Sequence, residues 1–165
     1  MLKNFVLIIL SVSALIIAGC NGGGDDLKVK QFEVNGSTAE LDEGRVVIDP
    51  AIDNGKFELV WKVDDDDAAG YNAYFYVSVN DDLDEDHDIE FYNVYCGEFG
   101  RCDHDDRNDE DCWFDNSNDM VCEDDDDPET EIDELIGQSP QDLYIIIEAC
   151  NSVDCDTEVV PVRLR

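Results

Sequence analysis

Along most of the chain, apolar residues recur at every second position. Phe57, Leu59, Trp61 and Val63 share one face, with Glu58 and Lys62 on the other. Tyr71, Ala73, Phe75, Val77 and Val79 repeat the pattern, with Tyr74, Tyr76 and Ser78 opposite. A period of two marks a strand that turns one side to a core. Residues 89–96, IEFYNVYC, make a third strand. Residues 143–150, LYIIIEAC, are apolar on both faces for most of their length, the pattern of a central strand. Val159, Val160, Val162 and Leu164 form a last strand, which Pro161 marks as an edge. Weaker strands run from Val29 to Val34 and from Arg45 to Ile48, and Asn35-Gly36 reads as a hairpin-type turn. A single segment reads as helix. Asp127-Pro128-Glu129-Thr130 would start it, Gly137 would stop it, and Ile132, Leu135 and Ile136 would be its buried stripe; the same residues also fit a short strand. Seven or so short strands with little helix predict an all-β sandwich.

The first 26 residues depart from this pattern. Lys3 precedes an apolar run from Phe5 to Ile17, broken by Ser11 and Ser13 and closed by the small residues Ala18 and Gly19. That order is the grammar of a secretory signal, and the run falls short of the roughly 20 residues a bilayer span needs. An ordinary signal peptide with an incidental cysteine fits that grammar too. Ile17-Ala18-Gly19-Cys20 resembles the lipobox of bacterial lipoproteins. The resemblance implies that residues 1–19 are removed, that Cys20 is acylated on its sulfur, and that it becomes the mature N-terminus. Several acyl chains make a lasting anchor, each buried CH₂ contributing about 0.8 kcal/mol. Asn21 stands where an Asp would hold such a protein at the inner membrane, so the resemblance points to the outer membrane of the cell envelope. Residues 20–26 then read as a tether, and residues 27–165 as one domain long enough for a core.

Charge narrows the partners. The formal net charge is −33, which is unsuited to nucleic acid, whose phosphates need Lys and Arg. It also disfavours lying flat on anionic lipid. Residues 81–127 hold 21 Asp and Glu against Arg101 and Arg107. Cys96, Cys102, Cys112, Cys122, Trp113 and Phe114 lie in or beside the same stretch, so an ordered, cross-linked insertion over about residues 97–127 is expected rather than an acidic tail. With Cys20 taken by lipid, six cysteines remain, and export makes three disulfides the default. Sequential pairing is expected: Cys96 with Cys102, Cys112 with Cys122, Cys150 with Cys155. Each pair encloses a short loop containing Gly, Asn or Asp. The alternative is a zinc site from Cys96, Cys102, His104 and Cys112, although no Cys-x-x-Cys spacing supports it.

Trp61 in an early strand, aromatics in the next, and the run Leu143, Ile145, Ile147, Ala149, Asn151 resemble a fibronectin type III domain, within the broader immunoglobulin-like class. Residues 149–155 are similar to the last hairpin of secreted bacterial versions, which a disulfide ties. The resemblance departs at Leu143, where the family usually carries Tyr, and has no counterpart for the acidic stretch. It implies no function, since sandwiches host many.

Candidate chemistry is sparse. His87 and His104 both sit in acidic sequence, and no Gly-x-Ser-x-Gly elbow offers a nucleophile. Ca²⁺ takes six to eight oxygen ligands, and alternating acids at Asp84, Asp86 and Asp88, and at Asp103, Asp105 and Asp109, offer them. Weak Ca²⁺ binding in residues 81–127 is therefore expected, against the alternative that these acids are a solvated surface. Trp113 and Phe114 are candidates for contact with a protein or glycan partner, or for plugging a small core of their own. The expected function is a non-enzymatic binding or interaction module at the envelope. The alternatives are a calcium-dependent adhesion or structural module, and a small hydrolase or accessory domain.

Overall fold

The computed structural model describes residues 27–64, 70–104, 106–115, 117–123, 130–136 and 140–165. The signal segment, Cys20 and the tether lie outside the described residues. Among the described residues ten strands form: β1 (Lys28–Asn35), β2 (Val46–Ile48), β3 (Lys56–Asp64), β4 (Tyr71–Ser78), β5 (Ile89–Cys96), β6 (Asn108–Phe114), β7 (Asp119–Cys122), β8 (Thr130–Glu131), β9 (Gln141–Cys150) and β10 (Cys155–Leu164). They build two five-stranded sheets, ordered β1-β3-β6-β7-β8 and β2-β10-β9-β4-β5. All pairings are antiparallel except β2 with β10. The chain is an all-β, two-sheet sandwich.

The alternation seen in the sequence becomes the core. Phe57, Leu59, Trp61 and Val63 of β3 face Tyr71, Ala73, Phe75 and Val77 of β4 and Leu143, Ile145 and Ile147 of β9, all within one buried cluster. At its centre the ring centroid of Phe75 lies 5.1 Å from that of Trp61 and 5.5 Å from that of Tyr92. The β4–β5 register shifts between Phe75 and Tyr76. That bulge lets the consecutive residues Phe91 and Tyr92 both be buried. β9 lies between β10 and β4, the central place that its two apolar faces predict. Along β10, pairing with β2 begins only at Val162, so Pro161 stands on an open side where its missing N–H costs no ladder bond.

Three expectations are corrected. The acidic stretch is not an insertion on a finished sandwich: β6 pairs with β3 along Lys56 to Trp61 and is the middle strand of its sheet. Its inward face begins with the polar residues Asn108 and Glu110 before reaching Cys112 and Phe114, which hides its strand period from a hydrophobic reading. Asn35-Gly36 does not close a hairpin. β1 and β2 belong to different sheets, and the chain crosses over there, with the Ser37 amide donating to the Val47 carbonyl at 2.9 Å. The described part of the helix candidate, residues 130–136, is a two-residue strand and a turn. Ile132 is fully buried while Leu135 and Ile136 pack beside the core, so core contact, with the β7 pairing, outweighs helical period in so short a segment.

Candidate functional site

The strands place the loops at two ends of the sandwich. One end carries the start of β1, the β3–β4 connection, the loop after β5 and the β9–β10 hairpin, because Lys28 faces Asp64, Tyr71 faces Cys96 and Asn72 faces Cys150. The other end carries residues 36–45, the β4–β5 hairpin and the C-terminus.

All six domain cysteines are paired as the loops suggest. Cys96 with Cys102, Cys112 with Cys122, and Cys150 with Cys155 have Cα separations of 4.5, 4.0 and 4.1 Å. The zinc alternative is thereby overturned, since Cys96, Cys102 and Cys112 have no thiolate to give. Glu148 converges with Cys150 and Cys155, but those sulfurs are bonded to each other and cannot serve as thiolate ligands.

Of the six aspartates singled out for Ca²⁺, the five that are described do not meet. Asp84, Asp86 and Asp88 lie in the β4–β5 hairpin, before Ile89 begins β5. Asp103 follows Cys102, whose partner Cys96 ends the same strand. Eight residues of β5 separate the two sets, about 25 Å at the usual rise. Asp109 is on β6, exposed, and Asp105 lies outside the described residues. Locally the first set is occupied with its own turn. The Asp84 carboxylate accepts from the Asp86 amide at 3.2 Å and meets His87 Nδ1 at 2.9 Å, while Asp88 accepts from the Asp84 amide at 2.8 Å. Among the described residues no three of these acids converge on one point.

Trp113 and Phe114 part company, as neighbours on a strand must. Phe114 is 3 % exposed and belongs to the main core, which removes it as a surface contact. Trp113 is half-buried on the outer side, with Lys56 Nζ 5.8 Å from its ring centroid. The Lys56 ammonium also pairs with Asp111, and that hydrogen bond raises its pKa.

A scan of family models, a search of curated proteins and a search of solved structures each return no match. The chemistry must therefore be read from the side chains alone. Three clusters stand out that the sequence did not announce. Inside the sandwich, the Tyr92 hydroxyl donates to Glu110 Oε2 at 3.1 Å, joining the two sheets through a buried carboxyl. On the outer face of the second sheet, Tyr76 and Glu148 are hydrogen-bonded, and Glu85 and Glu90 stand close. Burial, then Glu85, raises the Glu148 pKa; burial, then Glu148, raises that of Tyr76. At the C-terminal end, Arg163 reaches Asp42 at 2.9 Å, Glu43 at 3.0 Å and Asp142 at 2.7 Å. Hydrogen bonds from Arg163 hold the Asp42 and Asp142 carboxyls below the usual carboxylate range. Arg165 also bonds Asp42, and an open cleft lined by Thr38, Glu40, Leu41 and Val47 lies beside them. These ion pairs tie the crossover to β9 and β10. Only the spacing of Asn108, Glu110, Cys112 and Phe114 on one face hinted at the first cluster.

Proposed function

We propose that this chain is an envelope lipoprotein, anchored through Cys20 to the outer membrane, whose domain is a non-enzymatic binding or interaction module of the immunoglobulin-like, fibronectin type III-like kind. The strand orders β1-β3-β6 and β10-β9-β4-β5 support that kinship: they match strands A-B-E in one sheet and G-F-C-C′ in the other, the split of such a sandwich. The observation that carries the functional reading is the division of the cysteines. Six are consumed in pairs that clamp loops and a hairpin of the domain. Cys20 alone is left for lipid, beside the signal grammar of residues 1–19. A rigid, cross-linked domain held at a membrane presents surfaces rather than a shielded pocket, and recognition is the task that suits it.

Replacement of Cys20 tests the reading. Cells expressing the chain with an alkyne-tagged fatty acid should label the wild type and not Cys20→Ala. The variant should leave the membrane fraction with an unchanged melting midpoint. Undiminished label on Cys20→Ala would defeat the anchor, and turnover of an envelope polymer by the purified domain would defeat the non-enzymatic role.

A further inference from the structure

The most exposed large apolar side chains among the described residues are Phe99, 91 % exposed, and Val153, 80 % exposed. Each stands in a loop closed by its own disulfide, Cys96–Cys102 and Cys150–Cys155. Hydrogen bonds stiffen both loops. The Gly100 amide donates to the Gly97 carbonyl at 2.9 Å and the Arg101 amide to the Tyr95 carbonyl at 3.1 Å. Asn151 Oδ1 accepts from the Val153 and Asp154 amides, each at 2.8 Å. Neither tip can readily fold back to hide its side chain.

The two loops flank one strand. Tyr71 of β4 is opposite Cys96, and the next residue, Asn72, is opposite Cys150 on the other side. The loops therefore leave the same sheet end two strand spacings apart, about 10 Å. Gly70, just before β4, lies against the first of them: it has φ +85°, and a Cβ there would collide with the Cys96 carbonyl. β1 starts at this end too. The Val29 amide donates to Asp156 at 2.8 Å, one residue past Cys155, and Leu27 is buried. Six residues stand between Cys20 and Leu27, so the reach is at most about 25 Å.

We propose that these two loops are a membrane-facing foot: Phe99 and Val153 enter the interfacial zone of the bilayer that holds Cys20 and set the orientation in which the domain stands. The inference rests on the anchor proposed above. Tyr95, 41 % exposed and one residue before Cys96, stands where a tyrosine would meet headgroups. Leu41, Ile52 and Val79 are also exposed, but less so, and they lie at the far end. Charge selects the lipid. Asp64, Glu98, Asp103 and Asp154 outnumber Lys28 and Arg101 around the foot, so anionic headgroups repel it. The occupant is a zwitterionic surface, into which the tips dip while the carboxylates stay in water.

The test uses the full acylated chain reconstituted into phosphatidylcholine vesicles with plain or brominated acyl chains, which quench an indole only near contact. Phe99→Trp, Val153→Trp and Leu41→Trp are compared after subtracting the wild-type emission of Trp61 and Trp113. The added indole at 99 and at 153 should lose at least about half its emission to the brominated chains, and the one at 41 almost none. Protein that floats with the vesicles but is unquenched at 99 and 153, or is equally quenched at all three positions, overturns the foot and leaves the anchor standing. Protein that does not float overturns both.

Discussion

At the residue scale, neighbouring side chains on one strand have opposite fates. Phe114 fills the core, whereas Trp113 lies outside under Lys56. Phe114→Ala should cost about 3–5 kcal/mol, the transfer loss plus the cavity. Trp113→Ala should cost about 1 kcal/mol, the size of a half-exposed packing and cation–π contact. Urea unfolding of the two variants measures the difference; equal losses would contradict the burial of Phe114. Glu148 belongs to the same scale. Burial and the nearby Glu85 raise its pKa above the ordinary 4.5, while the Tyr76 hydrogen bond opposes them. A carboxyl with a raised folded pKa favours folding most when protonated. Its contribution is full below 4.5 and is lost as pH rises through the folded value. Glu148→Gln keeps an acceptor for Tyr76 and stays neutral. The variant should melt higher than the wild type at pH 7 and converge with it in acid. A variant that melts lower at pH 7 would show that the charge of Glu148 is stabilising.

At the scale of elements, β6 is the strand on which the first sheet depends. It carries Asp109, Glu110 and Asp111, poor material for a strand. Two features offset this: the long pairing with β3, and the disulfide joining Cys112 to its directly opposite partner Cys122 on β7. Replacing that pair with serines should lower stability by about 2–4 kcal/mol. Removing Cys150–Cys155 should cost less, because its sequence separation is 5 rather than 10 and loop entropy grows with loop length. Thermal melts of the two double variants rank them; the reverse order would place the strain of the fold in the last hairpin instead.

At the scale of the whole molecule, the net charge of −33 opposes compaction by self-repulsion. The described acids singled out for an ion site are split between the two ends of β5 and β6, so divalent ions should act as a screening atmosphere. The melting midpoint should rise with ionic strength, and Ca²⁺ and Mg²⁺ should raise it equally at matched strength. A rise with Ca²⁺ alone would reveal a specific site and revive the adhesion alternative.

The sequence by itself determined the fold class and most strands and made sequential cysteine pairing the expectation; the tertiary structure decided all three pairs. Alternation in β3, β4 and β9 can bury its apolar set only in a sheet, and short loops bring neighbouring cysteines together. It did not reveal β6, because a strand that turns Asn108 and Glu110 inward has no apolar period at its start; Asn108 is satisfied there by hydrogen bonds with the backbone of Asp103 and Asp106, and Glu110 by the Tyr92 hydroxyl across the core. Nor did it show that Asn35-Gly36 crosses between sheets, since a turn signal is local while the choice of partner strand is not. The grouping of Arg163 with Asp42 and Asp142, and of Phe99 with Val153, joins residues far apart in the chain. Such neighbours are set by strand order, which tertiary packing alone decides.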